Sequence, residues 1–257
     1  MLSISLGTAK AAELVAPYVD TVREDVELIL KLADVGPQDY LVDLGSGDGR
    51  FVIEAAKRGA MALGVELDKS LIEISQANAR AAGVAGRASF LHDDLFDVNF
   101  SMATVVTLYL MPEINLRLRP ILLKELKPGT RVVSNSFDMG DWTPDARAQG
   151  RTSGGALLWY IPADVRGDWS IKVAQQSYAV QFSQRYQDVI AKSANTLAIT
   201  EVKLQGATIR FEGNVNGKRH TFHGEVSGDR LAGAAHPDDG IGPVRYWRGE
   251  RLLSIQD

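Results

Sequence analysis

The run Asp43-Leu44-Gly45-Ser46-Gly47-Asp48-Gly49-Arg50 places three glycines and two acids in its first seven residues, directly after the apolar stretch Tyr40 to Leu44 and before a helical pattern from Arg50 to Arg58. Glycines at a strand-to-helix turn let the backbone pass close to a bound molecule without Cβ clashes, which is how open α/β sheets hold nucleotides. Two further acidic sites end the next apolar stretches: Glu66 closes Met61 to Glu66, 19 residues after Gly47, and Asp93 and Asp94 follow Ala88 to His92. A turn without a ligand accounts for one such site, and a solvated cap accounts for an isolated Asp-Asp pair. Three acidic sites at three successive strand ends call for a ligand with a polar group at each.

Two ligand classes compete for that arrangement. A dinucleotide is served by Glu66 at the ribose position. Its pyrophosphate, however, needs backbone N–H groups and no anions, whereas the spacing here is G-x-G-x-G with Asp43 and Asp48 beside it. Acids in that place favour a cation. S-adenosylmethionine carries a sulfonium and an ammonium: Asp43 can accept from the ammonium directly or through water, while Gly45, Ser46, Gly47, Asp48 and Gly49 pack their backbone on the nucleoside. Glu66, followed by Leu67, can accept both ribose hydroxyls. Asp93 or Asp94 can accept from the adenine amine, Asp94 being favoured, and the N–H of Leu95 can donate to the ring.

The elements that must position these residues follow from periodicity. Apolar residues at helical spacing from Asp20 to Ala33 stop at Gly36-Pro37, and strands and helices then alternate: Lys69 to Ala82 as a helix, Thr104 to Leu110 as a strand, Pro112 to Leu126 as a helix, Arg131 to Ser136 as a strand. Such alternation implies a parallel sheet covered on both faces. A long polar loop after Phe137 leads to a last strand, Ala156 to Ile161. The α/β domain, doubly wound and Rossmann-like with an N-terminal helical segment, is expected over 1–163.

Short alternating segments then follow, such as Ser170 to Val173, Tyr178 to Phe182, Leu197 to Val202, Thr208 to Phe211 and Arg219 to Val226. They predict a small antiparallel β domain over 164–257, a meander or barrel, with a hairpin at Asn216-Gly217. Tyr178, Phe182, Phe211, Phe222, Tyr246 and Trp247 are its core candidates. His220 and His223 fall on opposite faces of a strand, with surface roles expected, and the four histidines form no metal cluster. Gly167-Asp168-Trp169 faintly resembles the first strand of lipocalin-like barrels, too common a pattern to carry a ligand.

Composition narrows the classes further. With 257 residues, 45% hydrophobic and a net charge of -4, the chain reads as an ordinary globular protein, and it lacks the basic balance of a protein that holds nucleic acid through its surface. It has no cysteine, hence no thiolate chemistry, and no stretch near the ~18 apolar residues of a membrane span. Ala9-Lys10-Ala11 resembles a signal cleavage site but lacks the preceding basic and apolar regions, so a cytoplasmic location, where the sulfonium cofactor is made, is expected over export.

DLGSGDGR, GVELD and HDDLFD resemble the first three motifs of the class I S-adenosylmethionine-dependent methyltransferases, in that family's order and spacing. The stretch from Thr104 to Ser134, with APYVDT ahead of the first helix, is similar to the branch that includes the mitochondrial lysine methyltransferases acting on the ATP synthase c-subunit and the adenine nucleotide translocase. That branch usually has Pro where Asp20 stands. The resemblance implies S-adenosylmethionine as cofactor, Tyr18 and Thr21 closing over it, and N-methylation with a protein lysine as the preferred acceptor. It covers roughly residues 16 to 162.

Methyl transfer is an in-line displacement that needs orientation more than a dedicated base. Leu108-Tyr109-Leu110-Met111-Pro112 replaces the N/D-P-P-Y tetrapeptide of relatives that act on amides or adenine amines, which argues against those acceptors. Tyr109 either faces the cofactor and an acceptor amine, by hydrogen bond or cation–π attraction, or packs under the next helix. Glu113 and Asp138 are candidate proton acceptors. The competing functional reading is a cofactor-binding module without catalysis, or a small-molecule methyltransferase, whose β domain binds a partner or ligand.

Overall fold

The computed structural model describes residues 21–151, 154–193 and 197–252, so Tyr18, Asp20 and Ala9-Lys10-Ala11 lie outside the described residues. Helix α1 (Arg23–Leu32) buries Val26, Ile29 and Leu30 and carries Glu24 and Asp25 in its first turn, where negative charge suits the helix dipole. Then come β1 (Tyr40–Leu44), α2 (Arg50–Lys57), β2 (Met61–Glu66), α3 (Lys69–Ala81), β3 (Ala88–His92) and β4 (Val105–Leu108). Asp68 caps α3, its carboxylate accepting from Ser70 N at 2.8 Å. Helix α4 (Pro112–Glu125) opens on a proline, whose missing N–H costs nothing there, and leads to β5 (Arg131–Asn135), β6 (Ala146–Ala148) and β7 (Ala156–Tyr160).

The seven strands line up as β3-β2-β1-β4-β5-β7-β6. β1 to β5 pair in parallel, while β7 runs antiparallel between β5 and β6. The polar loop expected after Phe137 therefore contains a short edge strand. Successive strand residues point to opposite faces. Leu41, Val105 and Val133 pack with α1 and α2 on one side, and Val42, Val106 and Val132 pack with α4, Met139 and Trp142 on the other.

The second sheet is all antiparallel: β8 (Gly167–Val173), β9 (Gln176–Arg185), β10 (Asp188–Ser193), β11 (Thr200–Gln205), β12 (Thr208–Val215), β13 (Lys218–Ser227), β14 (Arg230–Pro237) and β15 (Arg245–Arg251). Its order, β10-β9-β8-β15-β14-β13-β12-β11, pairs the first strand with the last and leaves a seam between β10 and β11, making an eight-stranded near-barrel. Asn216 and Gly217 both take positive φ, 52° and 77°, in the tight turn between β12 and β13. β11 starts later than the Leu197 to Val202 expectation, because Ala198 and Glu201 are left-handed and the pairing register slips between Thr200 and Lys203.

The barrel interior is filled. Phe211 stacks on Phe222 with centroids 4.6 Å apart, and Trp247 meets both edge-on at 5.3 and 5.8 Å. Two expectations fail here. Tyr246 is 84% exposed, because strand alternation turns it away from the core that its neighbour Trp247 joins. His220 is buried, sharing the inward phase of Phe222, and its Nδ1 lies 2.9 Å from the Lys218 carbonyl; His223 stays outside.

Gly49 sets the start of α2 with φ +84°, and a Cβ there would lie 2.7 Å from the Phe90 ring and 2.8 Å from Ser75 Cβ. Gly49→Ala therefore combines a left-handed alanine with overpacking, and a loss of about 2–4 kcal/mol in urea denaturation is the expected result.

Candidate cofactor and acceptor site

From β1 the chain builds β2 and β3 on one side, then crosses to β4 and β5 on the other, so the crevice at the ends of β1 and β4 is the topological switch point of the sheet. Asp43 sits there opposite Thr107 in parallel register and is 2% exposed. Its Oδ1 accepts from Thr107 Oγ1 at 2.6 Å, and its Oδ2 is buried with no hydrogen-bond partner among the described residues. Burial pushes the Asp43 carboxyl up to about 7; the Thr107 hydrogen bond works against this, and the charges of Glu66 and Asp48 add to it.

The glycine turn is pinned to β2. Gly45 N and Ser46 N both donate to the Val65 carbonyl at 2.9 Å, and Gly47 N donates to Glu66 Oε2 at 2.9 Å. Glu66 Oε1 takes Leu67 N at 2.9 Å and Asp68 N at 3.0 Å. Backbone N–H groups thus engage most of the roughly four acceptor positions of this carboxylate. Gly45 has φ +82°, and a Cβ there would lie 2.8 Å from Leu110 Cδ2. Ser46 is buried against Gly64, its Oγ without a partner among the described residues.

Asp48 turns to Arg50, which grips it with Nε at 2.8 Å and Nη2 at 2.6 Å. Arg50 Nη1 also donates to the Thr21 carbonyl, and Asn135 Nδ2 reaches Thr21 Oγ1 at 3.5 Å. Asp48 is thereby an anchor for the chain entering α1, and Thr21, 3% exposed, is held between the glycine turn and the end of β5. At the end of β3, Asp93 is exposed and accepts from Asp94 N at 2.9 Å, while half-buried Asp94 accepts from Phe96 N at 2.9 Å beside half-buried Leu95. Leu67 is 42% exposed, and its carbonyl lies 2.9 Å from His92 Nε2.

Tyr109, just past β4, is half-buried and stacks on Phe137 with centroids 6.3 Å apart and planes at 23°. Glu113 is exposed in the first turn of α4, and exposed Asp138 accepts from Gly140 N at 3.0 Å. The structure also brings in residues that the sequence reading passed over: Thr107, Asn115, Ser134 and Asn135 are all buried at this edge. Asn115 Nδ2 donates at 3.3 Å to Ser134 Oγ and to the carbonyls of Phe137 and Asp138. A threonine among apolar neighbours in one strand and a Ser-Asn pair ending another were the available signals. Among the described residues, no cluster of three or more His, Asp and Glu could hold a metal ion.

Comparison with known proteins places the first sheet in a family. Residues 43–146 match the model of the ANTKMT methyltransferase domain. A protein-lysine N-methyltransferase from Saccharolobus islandicus is 46% identical over 130 residues, which are 50% of this chain and 81% of that protein. The chain belongs to the ANTKMT family of S-adenosylmethionine-dependent methyltransferases. The human lysine N-methyltransferase named for the ATP synthase c-subunit is 39% identical over 129 residues, and the chain spans about half of that relative's length, 55%. A crystal structure of an RNA methyltransferase from Salinibacter ruber, in complex with S-adenosyl-L-homocysteine, is 47% identical with a TM-score of 0.56, covering 57% of this chain and 96% of that one.

A carboxyl that ionises near pH 3.8 in the unfolded chain and near 7 in the fold makes the native state bind the extra proton between those values, so its contribution to stability falls as pH rises from 4 to 7. Asp43→Asn keeps the acceptor for Thr107 and removes the titration. Relative to the unsubstituted protein, it should gain on the order of 2–3 kcal/mol between pH 5 and pH 8 in urea denaturation, and parallel pH profiles would refute the assignment.

Proposed function

We propose that this protein transfers the methyl group of S-adenosylmethionine to the ε-amine of a lysine in a protein substrate. The archaeal relative, named a protein-lysine N-methyltransferase and 46% identical over 130 residues, carries the choice of acceptor. Tyr109-Leu110-Met111-Pro112 in place of the tetrapeptide of amide and adenine methyltransferases supports it.

The residues present fit the cofactor. The buried Asp43 Oδ2 lacks a partner among the described residues, and a cationic ammonium both satisfies it and favours its ionised form. At Gly45 and Gly49 a Cβ would meet Leu110, Phe90 and Ser75, so the turn keeps its tight path only without side chains there. Glu66 takes the ribose hydroxyls, and Asp94, the less exposed of its pair, takes the adenine amine with Leu95 N beside it. S-adenosylmethionine, when bound, supplies an electrophilic methyl on a positively charged sulfur.

On the acceptor side, the Tyr109 and Phe137 rings form an aromatic wall past β4 that attracts a lysine ammonium by cation–π contact and then orients the neutral amine. The proton lost before attack passes to water or to the exposed carboxylates of Glu113 and Asp138. Thr21, held by Arg50 and Asn135, covers the crevice from the N-terminal side.

Incubation with methyl-tritiated cofactor and a cell lysate tests the reaction. Label recovered as methyl-lysine after protein hydrolysis supports it, label lost to ribonuclease would move the acceptor to RNA, and absence of label would favour a non-catalytic module. Glu66→Ala should weaken S-adenosylmethionine binding by about 1–3 kcal/mol in isothermal titration, since hydrogen bonds to a charged group are removed. Unchanged affinity would place the ribose elsewhere.

A further inference from the structure

The loop from Phe137 to Trp142 runs from the aromatic wall of the acceptor edge to the β domain, and it is held from both sides. Inside, Asn115 fixes the carbonyls of Phe137 and Asp138, and Arg119 Nη1 donates to the Met139 carbonyl at 2.6 Å and to Asp141 Oδ1 at 2.5 Å. Met139 and Trp142 bridge to each other and are both fully buried. From outside, the end of β9 and the turn into β10 supply three consecutive residues. Arg185 pairs with Asp141 Oδ2, and the Tyr186 hydroxyl reaches Asp141 Oδ1 at 3.1 Å. The Tyr186 ring stacks on Trp142 with centroids 5.5 Å apart and joins the apolar core of the methyltransferase domain. Gln187 accepts from the Trp142 indole N–H at 2.8 Å and donates to the Thr143 carbonyl at 2.6 Å.

Tyr186 makes these contacts with φ at +55°, a conformation that a bulky L-residue seldom adopts and that surrounding contacts must hold. The braced segment ends in the ring that stacks on Tyr109, whereas the cofactor acids lie at the ends of β1, β2 and β3 on the other side of the switch point. We propose that the β domain is a positioning element for methyl transfer: Arg185, Tyr186 and Gln187 brace the 137–142 loop and so fix Phe137 against Tyr109, setting the approach of the acceptor. This rests on the reading that Tyr109 and Phe137 line the acceptor path.

The test compares Tyr186→Ala, Tyr186→Phe and Gln187→Ala in the full chain, with poly-L-lysine as acceptor. Loss of the ring should raise amide hydrogen exchange across residues 137–142 by about tenfold or more. It should lower turnover on poly-L-lysine about ten- to a hundredfold, as misplacement of a reacting group does. S-adenosylmethionine affinity should stay within about twofold, because among the described residues the hydrogen-bond and ring partners of Tyr186 do not include Asp43, Glu66 or Asp94. Tyr186→Phe, which keeps the stack on Trp142, should restore most of both. If Tyr186→Ala does not fold, Gln187→Ala removes the indole and Thr143 contacts alone and should show the same pattern more weakly. Unchanged exchange in 137–142, or a rate loss matched by an equal loss of cofactor affinity, would overturn the brace. An unsubstituted protein inactive on poly-L-lysine would count against the lysine reading instead, and the exchange result would then decide the brace by itself.

Discussion

A carboxylate buried beside a threonine, at the point where the sheet reverses its direction of growth, is the contact on which the rest of the site depends. Asp43 has given up water for a single hydroxyl among the described residues, and apolar layers cover both faces of β1 and β4 around it. Burying a charge on those terms is costly, which is why the proton is retained up to about pH 7. The expense is local and the packing around it is extensive, so the fold tolerates it. A cation in the crevice reverses the balance, and the same burial that opposes the free carboxylate strengthens its attraction to a bound positive charge.

The glycine turn and the end of β2 are one mechanical unit around that carboxylate. Val65 offers one carbonyl to two successive N–H groups of the turn, and Glu66 offers its side chain to the next. The path of residues 45–49 is therefore set by β2 as much as by the glycines, and Glu66 is oriented before any ligand arrives. Arg50 extends the unit outward by holding Asp48 and the Thr21 carbonyl together. Of the two acids in the turn, one thus faces the crevice and the other is engaged in joining the N-terminal segment to it.

The parts legible in the sequence were those that local chemistry determines. Apolar strands, the glycine-rich turn and acids at successive strand ends each leave a mark within a few residues. Thr107 shows locally only as a threonine among apolar neighbours, because its importance lies in parallel register with Asp43, 64 residues away. Asn115 and Asn135 become buried only once α4 and β5 are packed. Strand phase decides that His220 points in and Tyr246 out, and a one-residue change of phase inverts both. The edge strand β6 is three residues long and pairs with β7 inside a stretch rich in turn residues, so its sequence reads as loop.

The described residues of the β domain show no chemical grouping, and its interior is taken up by Phe211, Phe222, Trp247 and their neighbours. A nearly closed, filled sheet is stiff, since interiors packed this way deform little and transmit displacement. Its contact with the first domain is correspondingly particular. Alongside the hydrogen bond from Ala163 N to the Gly206 carbonyl, it sends the turn between β9 and β10 into the apolar layer beneath α4. A flexible appendage attached there would follow the motions of the 137–142 loop. A rigid one, entering with an aromatic ring, an ion pair and an amide at three successive residues, removes those motions instead, and it does so five residues from the ring that faces Tyr109.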